Sequence, residues 1–227
     1  MHKILQSNDF KRVVVVSMLL FWCVAMIAVR IDRTGSGYYR FLIFNLFLAS
    51  MPLFFSTVLR IASHFRLPWI IQLPLLALWL LFLPNAPYVL TDIIHLARSS
   101  HAPIWYDLAL LLSCSGTGLL MGYLSLIDVQ GIVVRRLGPA CGWMFALVSL
   151  VLSGFAIYLG RFLRWNSWDV LFEPTLVFQI LGGLMQPWAH ARALAVTLIF
   201  GMILTLGYIT LRTLLVQPES LCLKSPK

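Results

Sequence analysis

The residues whose types and spacing could do chemistry lie in WLLFLPNAPYVLTDIIH, positions 79–95. There a fully apolar run gives way to Pro84, Asn85 and Pro87 and then gathers Tyr88, Asp92 and His95. From Asn85 the polar positions fall at 85, 88, 92 and 95, which places an amide, a phenol, a carboxylate and an imidazole on one helical face. His95 could act as a general base, with Asp92 or Asp107 orienting the imidazole. Asp92 and His95 could also ligate a metal, with Asp107 or Asp169 adding oxygen ligands, but only His101 could supply a further imidazole from the same stretch. No metal is expected. A third possibility is structural: Asp92 and Asp107 neutralise Arg161 and Arg164 in a buried network that fixes helix register.

A second polar cluster is YLGRFLRWNSWD, positions 158–169. Arg161 and Arg164 share a helix face, Trp165 and Trp168 suit interfacial anchoring, and Asn166, Ser167 or Asp169 can begin the next helix. Two arginines beside a capped helix start suit a phosphate or carboxylate ligand. Trp105, Tyr106 and Asp107 form a third cluster. The expected roles are therefore catalytic for His95, Asp92 and Asp107, and substrate-binding for Asn85, Tyr88, Arg161, Arg164, Asn166 and Asp169. Ser113 and Ser115 sit where small packing residues are expected, and there is no nucleophile elbow, phosphate loop, dinucleotide fingerprint or c-type haem motif. The cofactor, if any, stays open.

The elements that must position these residues are membrane helices. Of 227 residues, 60% are hydrophobic and 11% charged, with mean hydropathy +0.90, which excludes an ordinary soluble domain. Seven windows of roughly 20 apolar residues, enough to cross about 30 Å of hydrocarbon, can be drawn. They are 13–30, 41–60, 68–91, 104–127, 138–160, 170–188 and 192–216. The fold class is an all-α integral membrane protein, a bundle of about seven transmembrane helices with the third broken at Pro84. Pro84 should turn Leu83 away from helical angles, and Asn85 should cap a second helix that tolerates Pro87 in its first turn. The third window either spans with a kink or ends at Pro84 as an interfacial helix.

Pro52, Pro74 and Pro174 predict further bends. Gly118 and Gly122, in GxxxG spacing, predict close helix packing, and Asn45 and Gln72 can hydrogen-bond between helices. Asn45 suits a ligand contact equally well. Residues 1–216 read as one helical domain, and 217–227 as a disordered tail. The N-terminal run reads as a retained signal anchor rather than a cleaved peptide. Cys23, Cys114, Cys141 and Cys222 lack paired spacing and read as packing residues. The 17 Lys and Arg, net charge +9, are spread over nearly every loop, so anionic headgroups rather than nucleic acid are the expected counter-charge.

If all seven windows cross, the connections after the first, third and fifth share a face with the C-terminus. That face receives Asp32, Asp92, Asp107, Asp169, Glu173 and Glu219, with His95, His101, Arg161 and Arg164, while Asp9 and Asp128 lie opposite. The polar clusters can then form one pocket at a membrane face. Lys and Arg number eight on the N-terminal face and nine on the polar face, so the positive-inside rule does not choose between the two orientations. Setting Arg161 and Arg164 aside leans the N-terminus to the cytoplasm.

The stretches NLFLASMP (45–52), FLPNAPYVLTDIIHL (82–96), WYDLALLL (105–112), GLLMGYLSL (118–126) and YLGRFLRWNSWDVL (158–171) resemble a family of uncharacterised bacterial multi-pass membrane proteins, Domain of Unknown Function 1361. The resemblance covers about residues 40–171. It implies an integral bacterial membrane protein in which Asn45, Asn85, Tyr88, Asp92, His95, Asp107, Arg161, Arg164, Asn166 and Asp169 are motif positions, and it implies no activity; the expected location is the bacterial inner membrane. The expected function is a membrane-embedded enzyme or binding protein for an anionic lipid or lipid-linked substrate. The alternatives are a secondary transporter or proton-coupled carrier, and a structural or assembly protein with no ligand. Oligomeric state is left open.

Overall fold

A computed structural model describes residues 2–98, 102–164 and 187–215, nearly all of them helical. In chain order these are α1 (His2–Thr34), α2 (Phe41–His64), α3 (Trp69–Phe82) and α4 (Asn85–Tyr88), followed by a 3-10 helix, Val89–Arg98. Next come α5 (Ile104–Leu137), α6 (Pro139–Tyr158) with a final widened π turn, Leu159–Leu163, and α7 (Pro187–Leu215). Six stretches are long and apolar enough to cross a membrane: Phe10–Thr34, Phe41–His64, Trp69–Leu96, Ile104–Leu137, Pro139–Leu163 and Ala191–Leu214. Helix is the form that lets such apolar runs satisfy every backbone N–H and C=O internally. The expected count of seven is not confirmed. Its sixth window, 170–188, lies outside the described residues except for its last two positions, as does the tail 217–227.

α5 is the axis of the bundle. Its 34 residues rise about 51 Å, and 67% of its most apolar window is buried, against 17% for the last span. One half of the core gathers Cys23, Ile27, Leu42, Leu46, Leu110 and Met121 from α1, α2 and α5. The other gathers Trp79, Leu126, Ile157, Leu204 and Tyr208 from α3, α5, α6 and α7.

Close packing at Gly118 and Gly122 is realised against the interrupted third span. A Cβ on Gly118 would stand 2.8 Å from the Ala86 carbonyl oxygen, and one on Gly122 would stand 2.8 Å from Ala86 Cβ. Gly118→Ala should push α4 off α5 and cost about 1–3 kcal/mol. Gly116→Ala, which meets open space, should leave thermal unfolding in detergent unchanged. Equal melting of the two variants would show that α4 does not depend on this approach.

The third span departs from expectation at Pro84. Leu83 (φ −50°, ψ −42°) and Pro84 (φ −63°, ψ −22°) both keep right-handed helical angles, so the interruption is in hydrogen bonding rather than direction. Neither Pro84 nor Pro87 has an N–H to give. Asn85 does not cap the next helix: its Nδ2–H donates backward to the Phe82 carbonyl at 3.1 Å, satisfying one of the carbonyls near the break. Beyond Tyr88 the chain tightens into ten residues of 3-10 helix, longer than this winding usually persists alone. Side chains support it, since Ser115 Oγ–H donates to the Val89 carbonyl at 3.0 Å and Tyr39 O–H to the His95 carbonyl at 3.5 Å. With three residues per turn, Asp92 and His95 come into line one above the other.

α6 and α7 run antiparallel. Trp143 meets Tyr208, a Cβ on Gly154 would stand 2.7 Å from the Thr197 carbonyl oxygen, and Arg192 lies over the Phe162 ring. α7 therefore starts where α6 finishes and ends beside the C-terminal part of α5, where Tyr208 O–H bonds Gln130. This corrects the expected sidedness: Leu215 lies at the end of the bundle where α1 begins, not at the polar end.

Candidate functional site

The ends of α1, the third span and α6, with the starts of α2 and α5, meet at one end of the bundle, and there the polar residues converge. Asp92 is the centre, with 1% of its surface exposed. Its Oδ2 accepts from Asn45 Nδ2–H of α2 at 2.7 Å, and its Oδ1 accepts from Arg161 Nη2–H at 2.8 Å. Arg161 comes from the π turn at the end of α6, and the Thr91 hydroxyl accepts from its Nε and Nη2 at 3.0 and 2.6 Å. The guanidinium lies over the Tyr88 ring, 4.9 Å from the centroid. Carboxylate, hydroxyl and ring together fix the planar fork in one orientation.

His95 sits beside this group. Its Nε2 is 4.0 Å from Asp92 Oδ1, beyond hydrogen-bond range, while Nδ1 meets the Tyr38 hydroxyl at 3.3 Å. The ring packs on Phe41 at 4.9 Å between centroids. The imidazole and the Asp92 carboxylate therefore stand at ion-pair distance without a direct hydrogen bond. The side chains of Arg161 and His95 are 20% and 23% exposed, against 2% for Asp92. A ligand arriving at this end meets a guanidinium, an imidazole and the Tyr38 phenol, with the carboxylate behind them.

Asp107 takes another partner. Arg30, in the last turns of α1, donates through Nε to Oδ1 at 2.6 Å and through Nη2 to Oδ2 at 3.1 Å, and each side chain is 1% exposed. Tyr39 lies against the Arg30 guanidinium at 4.5 Å. Asp107 thus forms its described bonds with Arg30, where pairing with His95 or with Arg161 and Arg164 was expected. Arg164 is exposed in a left-handed turn (φ 59°) just past α6 and does not join the Asp92 cluster among the described residues. Asn166, Asp169 and His101 lie outside the described residues. No three His, Cys, Asp or Glu side chains converge as metal ligands among the described residues.

Sequence reasoning missed Arg30, Tyr38, Tyr39 and Thr91. Arg30 carried a signal: it closes an uninterrupted apolar run, so it enters the bundle at a depth where a charge needs a partner. Thr91 carried none, since a threonine in a helix ordinarily bonds its own backbone. It does so here as well, donating to the Tyr88 carbonyl at 2.7 Å.

The profile of a family described as a protein of unknown function, DUF1361, matches residues 44–206, most of the chain. The chain belongs to the DUF1361 family. The DUF1361 match includes Asn45, Thr91, Asp92, His95, Asp107 and Arg161, and leaves outside it Arg30, Tyr38 and Tyr39. No curated protein and no solved structure matches this DUF1361 chain.

Proposed function

We propose that this DUF1361 protein is a bacterial inner-membrane protein that binds the anionic head of a lipid or lipid-linked molecule at the polar end of its bundle. The observation that carries the reading is Arg161, a cation held by Asp92, Thr91 and Tyr88 yet one-fifth exposed. A guanidinium already oriented by its neighbours loses little freedom on meeting a phosphate or carboxylate, which favours binding. His95 and Tyr38 stand beside it as further donors, and exposed Ile94 and Trp105 offer apolar contact for chains. Binding is favoured over catalysis because the group that Asp92 orients by direct hydrogen bonding is the Arg161 guanidinium rather than the His95 imidazole. The test is lipid mass spectrometry on protein in native-lipid nanodiscs, comparing wild type with Arg161→Gln/His95→Gln. An anionic amphiphile retained by wild type and lost from an equally folded variant is expected; identical spectra would overturn the proposal.

The N-terminal end of the bundle is assigned to the cytoplasm. Lys3, Lys11, Arg12, Arg60, Arg66, Arg135, Arg136 and Arg212 belong to that end, and Lys224 and Lys227 follow α7. The polar end has Arg30, Arg33, Arg40, Arg98, Arg161, Arg164 and Arg192, of which Arg30 and Arg161 are neutralised by Asp107 and Asp92. Short basic connections stay inside. A fluorescent protein fused at the C-terminal end should fluoresce, and an alkaline phosphatase fused there should be inactive; an active phosphatase reverses the assignment.

A carrier is the second reading, favoured by the hydrogen-bonding interruption in the third span. It requires access from both faces. Cysteines introduced at Tyr38 and Tyr88 should then label from either side of the membrane, whereas the binding reading expects labelling from the polar side only.

A further inference from the structure

Among the described residues, Arg161 and Arg30 each reach an aspartate, and at the opposite end of the bundle Arg12 bonds Asp128. Arg136, the penultimate residue of α5, is held by neutral groups instead. Gln72 of α3, 4% exposed, uses both ends of its amide: Nε2–H donates to the Leu67 carbonyl, and Oε1 accepts from Arg136 Nη2–H. The Leu67 carbonyl decides which way round the amide lies, so the amide oxygen faces the guanidinium. Trp69, the first residue of α3, covers that guanidinium, with 4.6 Å from its central carbon to the ring centroid. An amide and an indole orient the planar fork without cancelling its charge. Arg136 is exposed, and no carboxylate pairs with it among the described residues.

We propose that Arg136, seated on Trp69 and Gln72, binds the headgroup of an anionic phospholipid at a site separate from the one at Arg161. Gln72 uses one nitrogen of the guanidinium, and the fork keeps further N–H groups for the oxygens of a phosphate. Because the fork is already held, little side-chain freedom is lost when a headgroup binds. The depth suits a headgroup, since the third span begins at Trp69 and α5 continues only one residue past Arg136. Tryptophan is a residue of that boundary. Acyl chains have apolar contacts beside it, with Ile70, Leu73 and Leu137 79%, 52% and 66% exposed. This is the end of the bundle assigned above to the cytoplasm, where basic sites between helices recognise anionic headgroups. Arg135 supplies the contrast. It is exposed too, but it is turned about 100° around α5 and has no side-chain hydrogen bond or ring contact among the described residues.

The test is the lipid that the full chain retains from nanodiscs of mixed phosphatidylglycerol and phosphatidylcholine, read by mass spectrometry. Arg136→Gln should lower the preference for the anionic lipid about five-fold, the factor that one cation confers near a membrane surface. Arg135→Gln removes the same charge and should leave most of the preference, because a side chain without partners must give up its freedom to hold a headgroup. The difference between these two variants reads this end of the bundle whatever the polar end holds, and it should persist in an Arg161→Gln/His95→Gln background. Arg136→Lys keeps the charge but not the planar fork. It should fall below wild type in a protein that folds normally, which guards against an Arg136→Gln variant that fails to fold. Equal effects of Arg136→Gln and Arg135→Gln would assign the preference to general surface charge and overturn the proposal. An unchanged preference in Arg136→Lys, or a difference that vanishes with the Arg161 and His95 changes, overturns it as well. So does displacement of the lipid by millimolar inorganic phosphate, which would assign the site to the free anion.

Discussion

Asp107→Ala is expected to be the most damaging single change in the chain, lowering stability by about 3–5 kcal/mol. Arg30 and Asp107 form a two-point bond at 2.6 and 3.1 Å in which neither side chain is more than 1% exposed. Removing the carboxylate takes a two-point bond from a guanidinium that is 1% exposed and packed against Tyr39. The mutant should fail to accumulate, or should melt far below wild type in a mild detergent. Replacing both partners with apolar residues, Arg30→Met with Asp107→Leu, should recover most of the loss, because the penalty comes from the uncompensated charge. Wild-type stability in Asp107→Ala would remove the pair from any account of what holds α1 to α5.

Asp92→Ala should follow with a smaller loss of stability, about 1–3 kcal/mol, and a change in binding that Asp107→Ala does not predict. Asp92 is as buried as Asp107 and accepts from both Asn45 and Arg161. Its cationic partner, however, is one-fifth exposed and can turn toward water when the carboxylate is gone. The cost therefore falls on orientation: Arg161 keeps Thr91 and Tyr88 but loses the carboxylate that fixes its fork. Melting curves and lipid mass spectrometry on the two variants side by side test this. Asp107→Ala should be the less stable, and Asp92→Ala should lose bound anionic amphiphile while still folded. The reverse stability order would mean that the exposed edge of Arg161 gives no relief.

Much of the site was legible before any fold was known. Tyr88, Asp92 and His95 interrupt an apolar run, and Arg161 follows one, so each announces a polar group that must find a partner at the membrane boundary. Their meeting at one end followed from counting crossings up to the fifth span. Asp92 with Arg161 was among the expected pairings and is found, but Asp107 went to Arg30 rather than to an arginine of the second cluster, because Asp107 and Asp92 look alike in sequence. Asp107 opens α5 and faces α1, whereas Asp92 faces α2 and α6, and that difference depends on how each helix is rotated about its axis. A shift of one residue turns a side chain by about 100°, and no local pattern in an apolar helix records which way it faces. The proline was likewise legible as an interruption but not as a continuation of direction. Leu83 keeps helical angles because α4 is held against Gly118 and Gly122, a contact that outweighs the local preference of a residue preceding proline.

By itself the sequence determined the class and the polar stretches: long apolar windows without charges can satisfy their backbone in lipid only as helices, so an all-helical, membrane-type chain follows from composition and order. Tertiary structure alone decided three things. It paired Arg30 with Asp107 and Arg161 with Asp92, wound residues 89–98 tightly enough to bring His95 into line with Asp92, and ran α7 back to the end where α1 begins. Each rests on contacts between segments far apart in the chain, where helix rotation and direction are chosen by packing and charge compensation rather than by any local run of residues.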